Sequence, residues 1–253
     1  MSSTEKQLHI YYRHVSLKGE INSRDPNKRR PAWFSHETCF RNLLSTIRAD
    51  ALSGRVQITI VFDGTQEDFV DDFSSKYYAS EANGIKLQFI KGGSDLNSFR
   101  ITLYMARTAE MPSEDLIYIL ENDYMHQTGW VSKVFELSDS GNACDYLSLY
   151  DHRDKYDSPM YSELTAKLFY SQSHHWRTAP STCASFIMSK KVLDADYEIL
   201  SSGMTDYYFF GKLVGENERV LFTPVPGLAT HCMEGYLSPA VDWEKQAHEA
   251  MVA

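Results

Sequence analysis

Apolar blocks alternate with amphipathic stretches along the first half of this 253-residue chain. Residues 7–15 (QLHIYYRHV) are rich in β-branched and aromatic side chains and predict a first strand. The polar stretch that follows, GEINSRDPNKRRP, carries Gly, Asn, Asp and Pro and predicts a loop. Ser35 is placed to N-cap a helix whose apolar side carries Phe40, Leu43, Leu44 and Ile47. Residues 56–62 (VQITIVF) predict a buried strand that ends at Asp63-Gly64. Residues 66–79 predict a helix, and residues 85–90 (IKLQFI) a strand ending in Gly92-Gly93-Ser94. Leu96, Phe99, Leu103 and Ala106 then recur at helical spacing. Residues 116–120 (LIYIL) predict the next strand, 129–138 a helix and 145–150 (DYLSLY) a further strand.

This alternation, without an internal repeat, is the βαβ pattern of an α/β fold: a mostly parallel central sheet flanked by helices. Past residue 150 the regularity fades. Residues 171–182 (SQSHHWRTAPST) show no periodicity. CASFIM (183–188) predicts a strand and GMTDYYFFGKL (203–213) a short helix. A strand and a Pro/Gly-rich loop are expected in RVLFTPVPGLATHCMEGY. The second half is expected to be coil-rich, and no break in composition marks an independent second domain.

The polar turns of the first half all follow strands: Arg13, Asp63-Gly64, Gly92-Gly93 and Glu121-Asn122-Asp123. Ligands of open α/β sheets bind at the carboxyl ends of the strands, so these groups are expected to share one rim.

Composition narrows the function classes. A net charge of -9 argues against a broad nucleic-acid footprint, which needs a basic face. The small basic patch Lys28, Arg29 and Arg30 reads either as a solvated loop or as a phosphate contact. Cys39, Cys144, Cys183 and Cys232 have no metal-knuckle spacing and read as free thiols of a reducing compartment. The N-terminal MSSTEKQLHIYYRH has no apolar core of a signal peptide. No run approaches the roughly 20 apolar residues of a membrane span. A cytoplasmic protein with at most peripheral membrane contact is expected.

The chemistry concentrates in YILENDYMHQTGW, residues 118–130. Carboxylates at the mouth of a buried strand are costly when dehydrated and unpaired. Either Glu121 and Asp123 cap a turn or pair with arginines, or they hold a divalent cation such as Mg²⁺ or Mn²⁺, which shares its shell with phosphates. Arg100, one turn into a helix that follows two glycines, would suit a phosphate, and Asn97 could line the same pocket. Arg13 could reach a diphosphate or a base, or form a surface salt bridge. In SHHWRTAPST, Trp176 could stack on a sugar face while Arg177 or His175 holds hydroxyls or phosphate; equally, the stretch could staple an irregular loop. His174 and His175 point apart in an extended chain and make a poor metal pair.

The order of VFDGT (61–65), GGSDLNSFRITLYMA (92–106) and YILENDY (118–124) resembles the GT-A fold of nucleotide-sugar glycosyltransferases, the family-2-like inverting enzymes in particular. The resemblance covers residues 7–135 in order and extends loosely to about 243. It implies a single domain over 1–253, with 7–135 as the nucleotide-sugar-binding half and 136–243 as the acceptor-binding half. It places Asp63 against the nucleobase or ribose, Glu121 at the first acid of a D-x-D motif and Asp123 at the metal-binding acid. It implies that His231 completes the metal shell. It also implies that Asp206, in SGMTDYYFF, is the general base, with Asp151 in LYDHRDKY as the second candidate. The sequence departs from that family in END for D-x-D and in its long basic loop after the first strand.

The expected function is transfer of a sugar from a nucleotide diphosphate sugar to a glycan or glycoconjugate, inverting and dependent on Mn²⁺ or Mg²⁺. The alternatives are a sugar nucleotidyltransferase, whose Gly-rich basic signature is missing near the first strand; a metal hydrolase, whose H-E-x-x-H pattern is missing; and a non-catalytic carbohydrate-binding protein.

Overall fold

The computed structural model describes residues 5–16, 29–80 and 84–252. Residues 19–28 of the predicted loop, Lys28 included, lie outside the described residues; Arg29 and Arg30 lie within them.

The chain opens with β1 (Leu8–Val15) and α1 (His36–Arg48), whose N-cap Ser35 accepts a hydrogen bond from Thr38 N at 2.9 Å. The predicted apolar stripe of α1 is buried. After β2 (Val56–Asp63) the predicted helix over 66–79 is two helices, α2 (Gln66–Val70) and α3 (Phe73–Ser80). Asp72 makes the break: its carboxylate takes hydrogen bonds from Ser74 N and Ser74 Oγ, so a side chain replaces the helical ladder at that point. Next come β3 (Ile85–Ile90), α4 (Asp95–Thr108), β4 (Leu116–Glu121), β5 (Tyr124–His126) and α5 (Trp130–Asp139).

The second half holds more elements than its sequence pattern predicts. They are β6 (Tyr146–Leu147), α6 (Asp154–Asp157), β7 (Leu168–Tyr170), β8 (His175–Thr178), β9 (Phe186–Ser189) and α7 (Lys190–Leu200). Then follow α8 (Asp206–Phe210), which runs into a π-helical turn, β10 (Leu221–Val225), β11 (Ala229–His231) and α9 (Trp243–Val252). The predicted strand over 145–150 is regular only at β6; Tyr150 makes a lone bridge to Ala229 instead.

The chain forms two compact units, each of three segments. The first comprises Met1–Ile21, Gly54–Asn122 and Cys183–Glu218; the second comprises Asn22–Ser53, Asp123–Thr182 and Arg219–Ala253. Asn122 ends one segment of the first unit, and residues 183–218 form another.

In the first unit the strand order is β3-β2-β1-β4-β9. The first four are parallel and β9 runs antiparallel to β4. β4 is buried from Leu116 to Leu120, as a strand covered on both faces must be. Ile10, Ile60, Phe62, Ile117 and Ile119 are fully buried around it, each contributing about 1.5–3 kcal/mol. Register then sets the rim: Arg13 pairs with Val61 and Glu121, and Val15 with Asp63, so the carboxyl ends of β1, β2 and β4 are level.

In the second unit β6, β10, β8 and β7 lie side by side, β10 parallel to β6 and the others antiparallel. A separate ribbon pairs β5 with β11 and sets His231 opposite Tyr124. Helix α1 lies on β5 and α9, and Cys39, Met125, Cys232, Trp243 and Ala247 form a buried cluster there. No helix among the described residues is long and apolar enough to cross a membrane.

Candidate functional site

At the rim of the first unit, Arg13 is buried, 5% exposed, although its side chain is a cation. Nη2 donates to the Asp95 carbonyl at 2.9 Å and to Asp95 Oδ1 at 2.6 Å, and Nη1 lies 3.7 Å from Glu121 Oε1. The guanidinium lies over the Phe99 ring, 5.4 Å from its centre. Nε and Nη1 have no hydrogen-bond partner among the described residues. Glu121 is steadied by Ser185, which accepts from Glu121 N at 3.0 Å and donates to Oε2 at 3.3 Å.

The amide between the two acids has its own partner. Asn122 Nδ2 donates to His14 Nδ1 at 2.8 Å. His14 Nε2 lies 3.1 Å from both oxygens of Asp72. The tautomer follows from this network: Nδ1 accepts, so the proton sits on Nε2 and faces Asp72. Burial pushes the Asp72 carboxyl up, but the hydrogen bonds from His14 and Ser74 outweigh it and hold Asp72 below the usual carboxylate range.

Asp63 Oδ1 accepts from Gly92 N at 2.8 Å, which ties the end of β2 to the glycine turn. A Cβ on Gly92 would stand 2.5 Å from Asp63 Oδ2 and 3.0 Å from the Ser98 backbone, so only glycine fits. Ser94 then caps α4 through Asn97 N. Asn97 and Arg100 are exposed and line a cavity of about 550 Å³ with Lys91, Tyr104 and Tyr197. Asp206 is the first residue of α8, partly exposed, and is followed by the exposed rings of Tyr207 and Tyr208.

In the second unit, Asp123 follows directly on the strand-end pair and is 6% exposed. Its Oδ2 accepts from Arg30 Nη2 at 2.7 Å and meets His231 Nε2 at 2.9 Å, while Oδ1 has no partner among the described residues. Burial alone would push the Asp123 carboxyl up; His231 and Arg30 hold it well below the usual range. The His231 ring stacks on Tyr124 with 3° between the planes, and Tyr150 meets it edge-on. Cys232 N donates to the Asp123 carbonyl at 2.9 Å and locks the ribbon end.

A divalent ion fits this pair. Neighbouring ligands of an octahedral ion stand about 3 Å apart, and Asp123 Oδ2 and His231 Nε2 are 2.9 Å apart. Oδ1, which has no hydrogen-bond partner among the described residues, would add a further hard oxygen. Among the described residues no cluster of three or more His, Cys, Asp or Glu could hold a metal. The remaining ligands would therefore come from phosphate oxygens and water, as is usual for Mg²⁺.

Three expectations need correction. Trp176 is fully buried, its Nε1 donating to Ser171 Oγ at 3.0 Å, so it packs the core and offers no sugar platform. Arg177 is buried as the ion partner of Asp151 at 2.8 Å and is not directed at an acceptor. Asp151 uses its second oxygen for Tyr156 Oη at 2.7 Å, so both oxygens are engaged in structural contacts. Sequence reasoning missed His14, Ser185 and the Arg30 contact to Asp123, all of which depend on pairing between distant segments. Tyr207 and Tyr208, next to Asp206, were visible in the sequence but carried no mark of exposure.

No family model and no curated protein matches the sequence. Solved structures align with the fold. S. aureus TarS aligns with a TM-score of 0.50 and 12% identity over 97% of this chain, which spans 38% of the TarS chain. A galactosyltransferase, LgtC, in complex with donor and acceptor sugar analogs aligns at 0.48 with 7% identity, over 96% of this chain and 95% of that one. A 4-diphosphocytidyl-2C-methyl-D-erythritol synthase aligns at 0.47 with 11% identity over 99% of each chain. The fold is GT-A-like. At these identities the likeness is one of fold.

Proposed function

We propose that this protein is a nucleotide-sugar-dependent glycosyltransferase that inverts at the anomeric carbon and requires Mn²⁺ or Mg²⁺. The observation that carries the reading is the buried Asp123–His231 pair, in which one carboxylate oxygen has no hydrogen-bond partner among the described residues.

Arg13 binds the anionic part of the donor through Nε and Nη1, which make no hydrogen bond among the described residues. Glu121, held by Ser185, contacts the ribose, and Asn122 is kept in register by His14. Asp63 acts on the donor through the glycine turn that it fixes. Asp123 and His231 would hold the divalent ion, which when bound offsets the charge on the departing diphosphate. The acceptor hydroxyl forms its C–O bond to the anomeric carbon as the bond to the diphosphate breaks. Asp206 takes the hydroxyl proton. Tyr207 and Tyr208 offer exposed rings for the acceptor glycan.

Calorimetric titration with UDP, GDP, CDP and dTDP, each with and without Mn²⁺, tests this. One nucleotide is expected to bind, and only with metal. Equal binding without metal would remove the metal role. Failure of all four to bind would overturn the transferase reading.

A further inference from the structure

Arg30 was visible in the sequence only as part of a basic patch, yet it ends on the metal-binding acid. Its Nη2 donates to Asp123 Oδ2 at 2.7 Å. Its Nη1 goes elsewhere, to the Cys232 carbonyl at 2.8 Å, and the guanidinium lies 4.7 Å over the Phe34 ring. Arg30 therefore spends one nitrogen on the carboxylate and is otherwise seated by neutral groups. The Asp123 oxygen it occupies is the one His231 also meets. Arg30 thus covers a ligand atom that a divalent ion would need, and the side chain keeps 20% exposure through which an anion could reach it.

We propose that Arg30 is an exchangeable counter-ion. It neutralises Asp123 in the absence of donor, yields that oxygen to the divalent ion when a nucleoside diphosphate binds, and turns its guanidinium to the phosphate oxygens. The proposal rests on the transferase reading. Like charges explain the order of events. A divalent ion and a guanidinium on one carboxylate oxygen repel each other, and a diphosphate supplies the negative charge that both then share. Metal and diphosphate binding are consequently coupled, each tightening the other, and the coupling runs through Arg30.

The test compares the wild type with Arg30→Gln and Arg30→Lys, reading free Mn²⁺ by electron paramagnetic resonance without nucleotide and then nucleoside diphosphate affinity by calorimetry. Arg30→Gln is expected to bind Mn²⁺ alone about tenfold more tightly and the diphosphate with Mn²⁺ about tenfold more weakly, the size of one charge-assisted bond. Arg30→Lys, which keeps the charge, is expected to bind Mn²⁺ alone as weakly as the wild type. Asp123→Asn is expected to abolish Mn²⁺ binding in every background, leaving the free-ion signal undiminished. Mn²⁺ affinity in Arg30→Gln that equals or falls below the wild type overturns the counter-ion; unchanged diphosphate affinity overturns the transfer of Arg30 to phosphate. If no diphosphate binds to any variant, the transferase reading falls. The Mn²⁺ comparison then still decides the competition at Asp123: tighter binding by Arg30→Gln upholds it and unchanged binding removes it.

Discussion

Asn122 donates its side-chain amide to His14 across 108 residues of sequence, and His14 passes the constraint on to Asp72. The motif END thus has an amide at its centre for a mechanical reason. The amide anchors the end of β4 to β1, between one acid that faces Arg13 and another that faces His231. Replacing Asn122 by Ala removes the amide that donates to the buried His14 Nδ1. A loss of about 1–3 kcal/mol is expected, read by urea denaturation.

Acid should weaken the same network. Asp72 has a folded value below its unfolded one. Its contribution is fully present above the unfolded value of about 3.9 and is lost as pH falls from there through the folded value. Wild type and Asp72→Asn should therefore differ in stability at pH 7 and converge below about pH 4. A difference that stays constant with pH would remove Asp72 as the source.

Gly92→Ala should be felt in both stability and donor binding. The added methyl meets Asp63 Oδ2, on a carboxylate tethered to Gly92 N, and the backbone at Ser98, which cannot swing aside. A cost of about 1–3 kcal/mol is expected. Thermal unfolding and nucleotide titration of the purified variant would check both effects.

Asp206 and Asp151 should separate cleanly. Asp206→Asn is expected to lower kcat by about 10²–10⁴ with diphosphate affinity unchanged. Asp151→Asn leaves the buried Arg177 without its counter-charge. It should lose about 3–5 kcal/mol of stability, with catalytic loss only in step with unfolding. The reverse pattern would make Asp151 the base.

Trp176→Ala should cost about 3–5 kcal/mol, because a fully buried indole is removed. Trp176→Phe, which keeps the packing, should leave the KM for acceptor unchanged. A raised KM in a fully folded Trp176→Phe would restore the stacking role.

The parallel half was legible in the sequence because its signals are local. LIYIL has the unbroken apolar run of a strand covered on both faces, and Ser35 stands one residue before α1. Asp72 was harder to read. It looks like one more polar residue in a helix, and only its pairing with His14 makes it a break. The irregular stretch SQSHHWRTAPST hides β8, a four-residue strand whose Trp176 is buried by pairing with β10, a partner nearly 50 positions away. Helix α9 left a usable trace, with Trp243, Ala247 and Ala250 one turn apart and all buried. Asp123 and His231 lie 2.9 Å apart across 108 positions, and nothing local marked Arg30, whose contact to Asp123 spans 93.

The thiols of Cys39 and Cys232 lie 3.7 Å apart in the cluster beneath α9, both buried, and burial holds the Cys232 thiol well above its ordinary value. Cys232 is the residue after His231. While the ribbon is closed, a thiol reagent finds neither an opening nor a thiolate. Labelling of Cys232 thus becomes a clock for the excursions that unseat His231, readable by mass spectrometry in the native sequence, and anything that tightens the Asp123 site should slow it.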